Sequence, residues 1–284
     1  MKVGLTVFPI NPTFLFPLAR RVDELGYESI WVGEHVVIPA QGQSEHPYGG
    51  GPGPLPTTPL YDPLLTYAFI AAQTQRLKLG TSVYLLALRH PIMAARLITT
   101  LDRISGGRLL LGLGAGWLKE EFEVQDVPWG HRGPRLDENI AVMRRLWKED
   151  RVAHHGRFYR FDEVGFAPKP LQGTVPILIG GETPPALRRA ARTGDGWLGV
   201  THTPESAAQR VQELKVMRET AGPFEITVTS ESIPTIDDVH RFRDAGVHRL
   251  TFGGRLLSGG QKTVEAMLSG LERFADEIIR KIDA

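Results

Sequence analysis

Eight short apolar runs, each followed by a helical stretch, constrain this chain more than any other feature. They cover 2–8, 29–33, 77–84, 108–113, 175–179, 196–200, 225–230 and 249–252. Strands that alternate with helices pair in parallel, because each crossover returns the chain to the same end of the sheet. Eight such units in 284 residues predict an α/β fold of the (β/α)8 TIM-barrel kind, with a doubly wound open sheet as the alternative. Phe14, Leu18, Val22 and Leu25 share one helix face, and Met93, Leu97, Leu101 and Ile104 share another. Val264, Met267, Leu268, Leu271, Phe274, Ile278 and Ile282 form a closing stripe suited to packing on a barrel. Neither a repeat nor a linker interrupts the pattern, so 1–284 reads as one domain.

Three segments exceed simple strand-to-helix loops. Residues 34–63 are rich in Gly and Pro, with Gly49-Gly50-Gly51-Pro52-Gly53-Pro54 at their centre, and read as a lid. Residues 117–134 contain the turn Pro128-Trp129-Gly130, and 151–170 read as a hairpin with Phe158, Tyr159 and Phe161 around His155-Gly156. In a barrel all three are expected as insertions at the C-terminal face, where ligands bind. The strand at 108–113 runs into Gly112-Leu113-Gly114-Ala115-Gly116-Trp117. Glycines there leave no Cβ to hold a flat ligand off the backbone, so this strand end reads as the wall of a cofactor pocket. The spacing does not match a dinucleotide fingerprint, and no P-loop is present.

Composition excludes several chemistries. The net charge is +1 with no long run of one sign, which argues against nucleic acid as a partner. No cysteine is present, so disulfides, thiolate nucleophiles and Cys-bound metals are ruled out. His131, His154, His155 and His202 lack metal-ligand spacing and read as surface or loop histidines; no metal is expected. The first residues read as a strand rather than a signal peptide, and no apolar run reaches membrane length. A cytoplasmic protein acting on a small molecule, with no membrane partner, is the expectation.

His35 follows the second strand directly and is placed for proton transfer, since imidazole exchanges protons near neutral pH. Glu34 before it could orient that ring or face water. Ile177-Leu178-Ile179-Gly180-Gly181-Glu182-Thr183-Pro184 ends another strand in glycines and opens a helix, with Thr183 as cap. Backbone N–H groups at such a start can bind a phosphate.

Together these segments resemble the bacterial luciferase-like flavin and deazaflavin oxidoreductases. The matching words include Gly26-Tyr27-Glu28-Ser29-Ile30-Trp31-Val32-Gly33-Glu34-His35, Leu79-Gly80-Thr81-Ser82-Val83, Arg89-His90-Pro91, Gly112-Leu113-Gly114-Ala115-Gly116-Trp117 and Gly194-Asp195-Gly196-Trp197. The lid beginning Glu34-His35-Val36-Val37-Ile38-Pro39 looks most like the branch that uses coenzyme F420. The resemblance implies a flat tricyclic ring at the C-terminal face, against a non-prolyl cis peptide whose match is Ser82–Val83. It further implies that His35 and Glu34 lie at the ring, with His35 as contact or acid/base. Ala115 and Gly116 would line the ring, and Gly180 and Gly181 would hold its phosphate. At the position of Trp117 the sugar-phosphate dehydrogenases of the family carry a catalytic glutamate. Tryptophan cannot deliver that proton and is expected to wall an apolar substrate pocket instead.

The function expected is hydride transfer between C5 of F420 and a small organic substrate. One alternative is a two-component monooxygenase using reduced FMN supplied by a flavin reductase. Another is a non-catalytic cofactor-binding barrel. Relatives commonly pair through barrel helices, so a homodimer is expected.

Overall fold

The computed structural model describes residues 1–8, 11–41, 44–48, 53–219, 222–261 and 263–282. Eight parallel strands close into a barrel. In order around it stand β1 (Lys2–Val7), β2 (Ser29–Val32), β3 (Lys78–Thr81), β4 (Leu109–Leu113), β7 (Ile177–Gly180), β8 (Gly196–His202), β9 (Glu225–Ser230) and β10 (Arg249–Gly253), which pairs back onto β1. The open-sheet alternative is thereby replaced by a (β/α)8 barrel. The missing pair, β5 (Arg151–His155) and β6 (Arg160–Gly165), forms a separate antiparallel hairpin.

Strand alternation sorts the core into two layers. Leu5, Ile30, Leu79, Leu111, Ile177, Val228, Leu250 and Phe252 are buried in the large layer between barrel and helices. Trp31, Leu110, Leu178 and Leu198 fill the barrel interior, with Val83 packed on top. Trp31 sits where a Cβ on Gly80 would come within 2.3 Å of its ring, so a residue larger than glycine cannot face it. Below it the guanidinium of Arg249, 1% exposed, is held by Glu28, Glu225 and Thr227. The barrel is thus plugged at its N-terminal end and available only at the other.

The helices around it are α1 (Pro12–Glu24), α2 (Pro63–Ala71), α3 (Pro91–Ile104), α5 (Arg132–Lys148), α6 (Pro184–Thr193), α7 (Pro204–Met217), α8 (Ile236–Asp244) and α9 (Val264–Glu277). Their starts follow capping chemistry. Asn11 accepts the N–H of Thr13, and Asp62 those of Leu64 and Leu65, each followed by proline at the first helical position. The α9 stripe packs inward as expected, with Leu271, Phe274, Ile278 and Ile282 buried.

Two expectations are corrected. Of the stripe Met93, Leu97, Leu101 and Ile104 only Leu101 is buried; the other three are 59%, 43% and 59% exposed, while α3 turns Ala94, Ala95 and Ile98 inward. Small alanines let α3 lie close to the barrel, and a 3.6 period cannot say which of two apolar stripes faces it. Phe14 likewise points outward at 46% exposure. The hairpin does not roof the mouth either. It runs along the outside of α5 and α3, fixed by Glu138 and by hydrogen bonds from Arg96 to Ala167 O and from Arg103 to Lys169 O. Among the described residues no helix is long and apolar enough to cross a membrane.

Candidate active site

The mouth of the barrel gathers most of the residues singled out in the sequence. Beyond β2, Glu34 is buried and its carboxylate turns to the β3 side. Oε2 accepts Leu85 N at 2.7 Å and Arg89 Nη1 at 3.0 Å, and Oε1 accepts Arg89 Nη2 at 2.5 Å. Arg89 in turn lies 4.2 Å over the Tyr84 ring. Burial pushes the Glu34 carboxyl up from its ordinary value, while Arg89 and the Leu85 N–H pull the other way. Two matching words, around Glu34 and around Arg89, are therefore one ion pair that ties the β2 loop to the β3 loop. Among the described residues no hydrogen bond joins the Glu34 carboxylate to the His35 ring.

His35 sits in an aromatic corner, 5.4 Å edge-on to Trp117 and 6.1 Å from Phe8. Its Nδ1 lies 2.8 Å from Oε2 of Glu121. Glu121 comes from α4 (Lys119–Glu123), a short helix inside 117–134, and is 1% exposed. Its Oε1 accepts Val36 N at 2.5 Å and Val37 N at 3.4 Å. Sequence reasoning missed Glu121 because Lys119-Glu120-Glu121-Phe122-Glu123 resembles a solvated charge run. The signal was helical spacing: Leu118, Glu121 and Phe122 fall on one face, and all three are buried.

The Ser82–Val83 peptide bond is cis. The Val83 side chain stands partly exposed at the centre of the mouth, above Trp31, Leu110, Leu178 and Leu198. The glycines around it are explained differently from the sequence expectation. A Cβ on Gly114 would lie 2.4 Å from Val83 Cγ2, and one on Gly180 2.6 Å from Val83 Cγ1. On Gly112 it would lie 1.9 Å from Thr81 O, and on Gly116 2.5 Å from Phe122. These glycines first make room for protein atoms, and two of them seat Val83. Gly116 also has φ +85°, which disfavours any side chain. Ala115 is partly buried against the core.

Across the mouth, Gly181 has φ +119° and Glu182 N donates to Tyr48 Oη at 3.1 Å. Thr183 opens α6 but its side chain makes no capping bond, and since Pro184 and Pro185 carry no N–H, Ala186 supplies the first helical donor. Arg132, the first residue of α5, reaches Gly116 O at 3.3 Å and stacks 3.7 Å over Trp129. No carboxylate pairs with it among the described residues. Burial, then the Arg189 charge, hold its pKa below the ordinary guanidinium value. Glu182 pairs with Arg210 at 3.1 Å and hydrogen-bonds His202 at 3.1 Å. His202, expected at the surface, is 6% exposed and bonded to Glu182 and Ser206.

The lid contributes a strap. Ser44 binds both ends of the α4 start, through Glu120 and Lys119 N. His46 packs 5.1 Å from Trp117 and Tyr48 packs 5.7 Å from His46, so rings cross the mouth from His35 to the β7 loop. Residues 42, 43 and 49–52 of the expected lid lie outside the described residues.

The structure thus presents a closed parallel barrel whose mouth holds a buried carboxylate–imidazole pair among aromatic rings. Comparison with known proteins places it further. The model of the luciferase-like monooxygenase family matches residues 6–269, and the chain belongs to that family. An uncharacterised protein of Mycobacterium tuberculosis is 33% identical over 278 residues, covering 95% of this chain and 96% of that one. The F420-dependent glucose-6-phosphate dehydrogenase of Amycolatopsis mediterranei is 28% identical over 287 residues, covering 98% and 81%. Two solved structures share the fold. The F420-dependent tetrahydromethanopterin reductase of Methanopyrus kandleri has a TM-score of 0.77 at 16% identity, covering 99% of both chains. Monooxygenase RslO1 of Streptomyces bottropensis has 0.76 at 23%, again covering 99% of both.

Proposed function

We propose that the chain, acting as a single barrel unit, is an F420-dependent oxidoreductase for an apolar organic substrate. Bound F420 would supply or take the hydride at its C5 atom. The observation that carries this reading is the His35–Glu121 pair at the end of β2, flanked by Trp117 and Phe8.

The residues present fit a flat, anionic cofactor. Val83 and the backbone of Ala115 and Gly116 offer an apolar surface for a ring, and the ends of β4 and β7 flank it. Gly180, Gly181 and the start of α6, where Ala186 is the first helical N–H donor, would take a phosphate, with Arg132 as the nearby cation. Glu34 would act behind the site, holding Leu85 and Arg89 in place. His35 would exchange the proton that accompanies hydride transfer. Trp117 lies against His35 and His46, which favours an apolar substrate over a sugar phosphate.

A second reading has support of its own. The family model describes monooxygenases, and the RslO1 monooxygenase shares the fold, which fits reduced FMN from a flavin reductase. Anaerobic titration with oxidised and reduced F420 and FMN, followed by fluorescence or absorbance, separates them. Tight F420 with weak FMN binding is expected. Preference for reduced FMN with oxygen consumption moves the function to the monooxygenase, and binding of neither overturns the cofactor reading.

We also propose a cytoplasmic homodimer, formed through α2 and α3. Every residue of α2 is uncharged, yet Leu65 and Phe69 are 72% and 52% exposed.

A further inference from the structure

We propose that Glu121 is the positioning residue of the site. It holds His35 in the Nδ1–H tautomer, so that Nε2 is the nitrogen that exchanges protons with the substrate. The proposal deepens the oxidoreductase reading above and rests on it for the role of His35.

Each Glu121 oxygen has its own partners. Oε1 accepts two backbone N–H groups, Val36 at 2.5 Å and Val37 at 3.4 Å. Backbone N–H groups can only donate, so the carboxyl is an acceptor on that side. Oε2 lies 2.8 Å from His35 Nδ1. An ionised carboxylate has no hydrogen to give, so Nδ1 must carry the one they share. The imidazole then has one nitrogen left. Among the described residues no protein group hydrogen-bonds Nε2. Phe8 and Trp117 flank the ring, while Glu121 holds its Nδ1 edge.

The balance of the proton follows. As hydride adds to a carbonyl carbon of the substrate, the imidazolium gives its Nε2 proton to the carbonyl oxygen. What remains is neutral His35 with hydrogen on Nδ1, the form that Glu121 accepts from. In the opposite direction the same Nε2 takes the hydroxyl proton while hydride leaves the carbon. The other tautomer cannot do this, because its Nε2 already bears hydrogen and its free lone pair faces Glu121.

Glu121 also serves the fold, since Oε1 clamps the chain at Val36 and Val37. Glu121→Gln separates the two duties. The amide oxygen still accepts those N–H groups, while its NH2 donates towards Nδ1 and forces hydrogen onto Nε2. The clamp stays and the tautomer inverts.

The test is nitrogen NMR of protein labelled with 15N-histidine and 15N-valine, without cofactor, with the His35 signals assigned by their loss in His35→Gln. Wild type is expected to show hydrogen on Nδ1. Glu121→Gln is expected to show it on Nε2, with the Val36 and Val37 amide signals still in place. With a carbonyl compound reduced by wild type and F420H2, the variant should lose about 100-fold or more in kcat with little change in KM. Wild type with hydrogen on Nε2, or a variant whose tautomer does not change, overturns the proposal. Should Glu121→Gln fail to fold, the wild-type spectrum decides alone. Neither spectrum needs F420, so failure here and failure of the cofactor titration are separate results.

Discussion

Val83 shows how single residues shape this mouth. Its side chain rests on the four-residue plug of the barrel and is flanked by Gly114 and Gly180, where Cβ atoms would come within 2.4 and 2.6 Å. Gly114→Ala therefore overfills a closed space, at a cost of about 1–3 kcal/mol, and displaces the surface on which a ring would lie. A lower melting temperature by about 2–4 °C per kcal/mol is expected, together with weaker F420 binding. Gly130→Ala is the control, because nothing lies within 4 Å of its Cβ position. If Gly114→Ala melts and binds as Gly130→Ala does, the seating of Val83 is not what that glycine is for. His35 was legible in the sequence, because the end of a barrel strand is a place where chemistry collects. Glu121 was not, since its partner lies 86 residues away and only the folded chain brings the two together.

At the scale of elements, short insertions fix the geometry while barrel strands supply the frame. The short helix α4 holds His35 through Glu121 and the strap through Glu120 and Lys119 N. The β5–β6 hairpin depends on one carboxylate in a similar way. Glu138 on α5 accepts Phe158 N, Tyr159 N and Arg157 N and contacts His154 at 3.0 Å. Burial alone would raise this carboxyl, but the His154 and backbone hydrogen bonds outweigh it and hold it below its ordinary value. A carboxyl whose folded pKa is depressed stabilises above its unfolded pKa, and that contribution fades as pH falls through the folded one. Hydrogen-exchange protection of 151–165 should therefore be lower in Glu138→Gln than in wild type at neutral pH, and the gap should close in acid. A gap that is absent, or that widens in acid, would remove Glu138 as the anchor. Eight strands and the hairpin were readable from apolar runs and turn residues. The side of α5 on which the hairpin lies was not, because Glu138 reads in sequence as one more exposed helix charge.

For the molecule as a whole, the misjudged face of α3 carries the most information. Apolar periodicity put Met93, Leu97, Leu101 and Ile104 on one helix face, yet the chain alone buries only Leu101 of the four. They lie on a helix that packs beside α2, where Leu65 and Phe69 are also exposed and Phe16 stacks 4.1 Å from Phe69. A helix that is apolar all round belongs inside a structure, and α2 has no charged residue to face water with. The α2 part of this face offers no ion pair to a charged partner, whereas a two-fold axis would set it against its own copy. A stable pairing needs about 800 Å² from each partner, which is the scale of two adjacent helices. Wild type is therefore expected to elute as a dimer in size-exclusion chromatography with light scattering. The double variant Leu65→Glu, Phe69→Glu places two carboxylates opposite two more across the axis, and it should run as a monomer with an unchanged circular dichroism spectrum. A monomeric wild type, or a double variant that stays dimeric, would show that this face serves another purpose. The active-site mouth lies at the strand ends rather than on this flank, so a folded monomer should keep F420 affinity. A monomer that folds yet binds no F420 would mean that the partner helps to build the site.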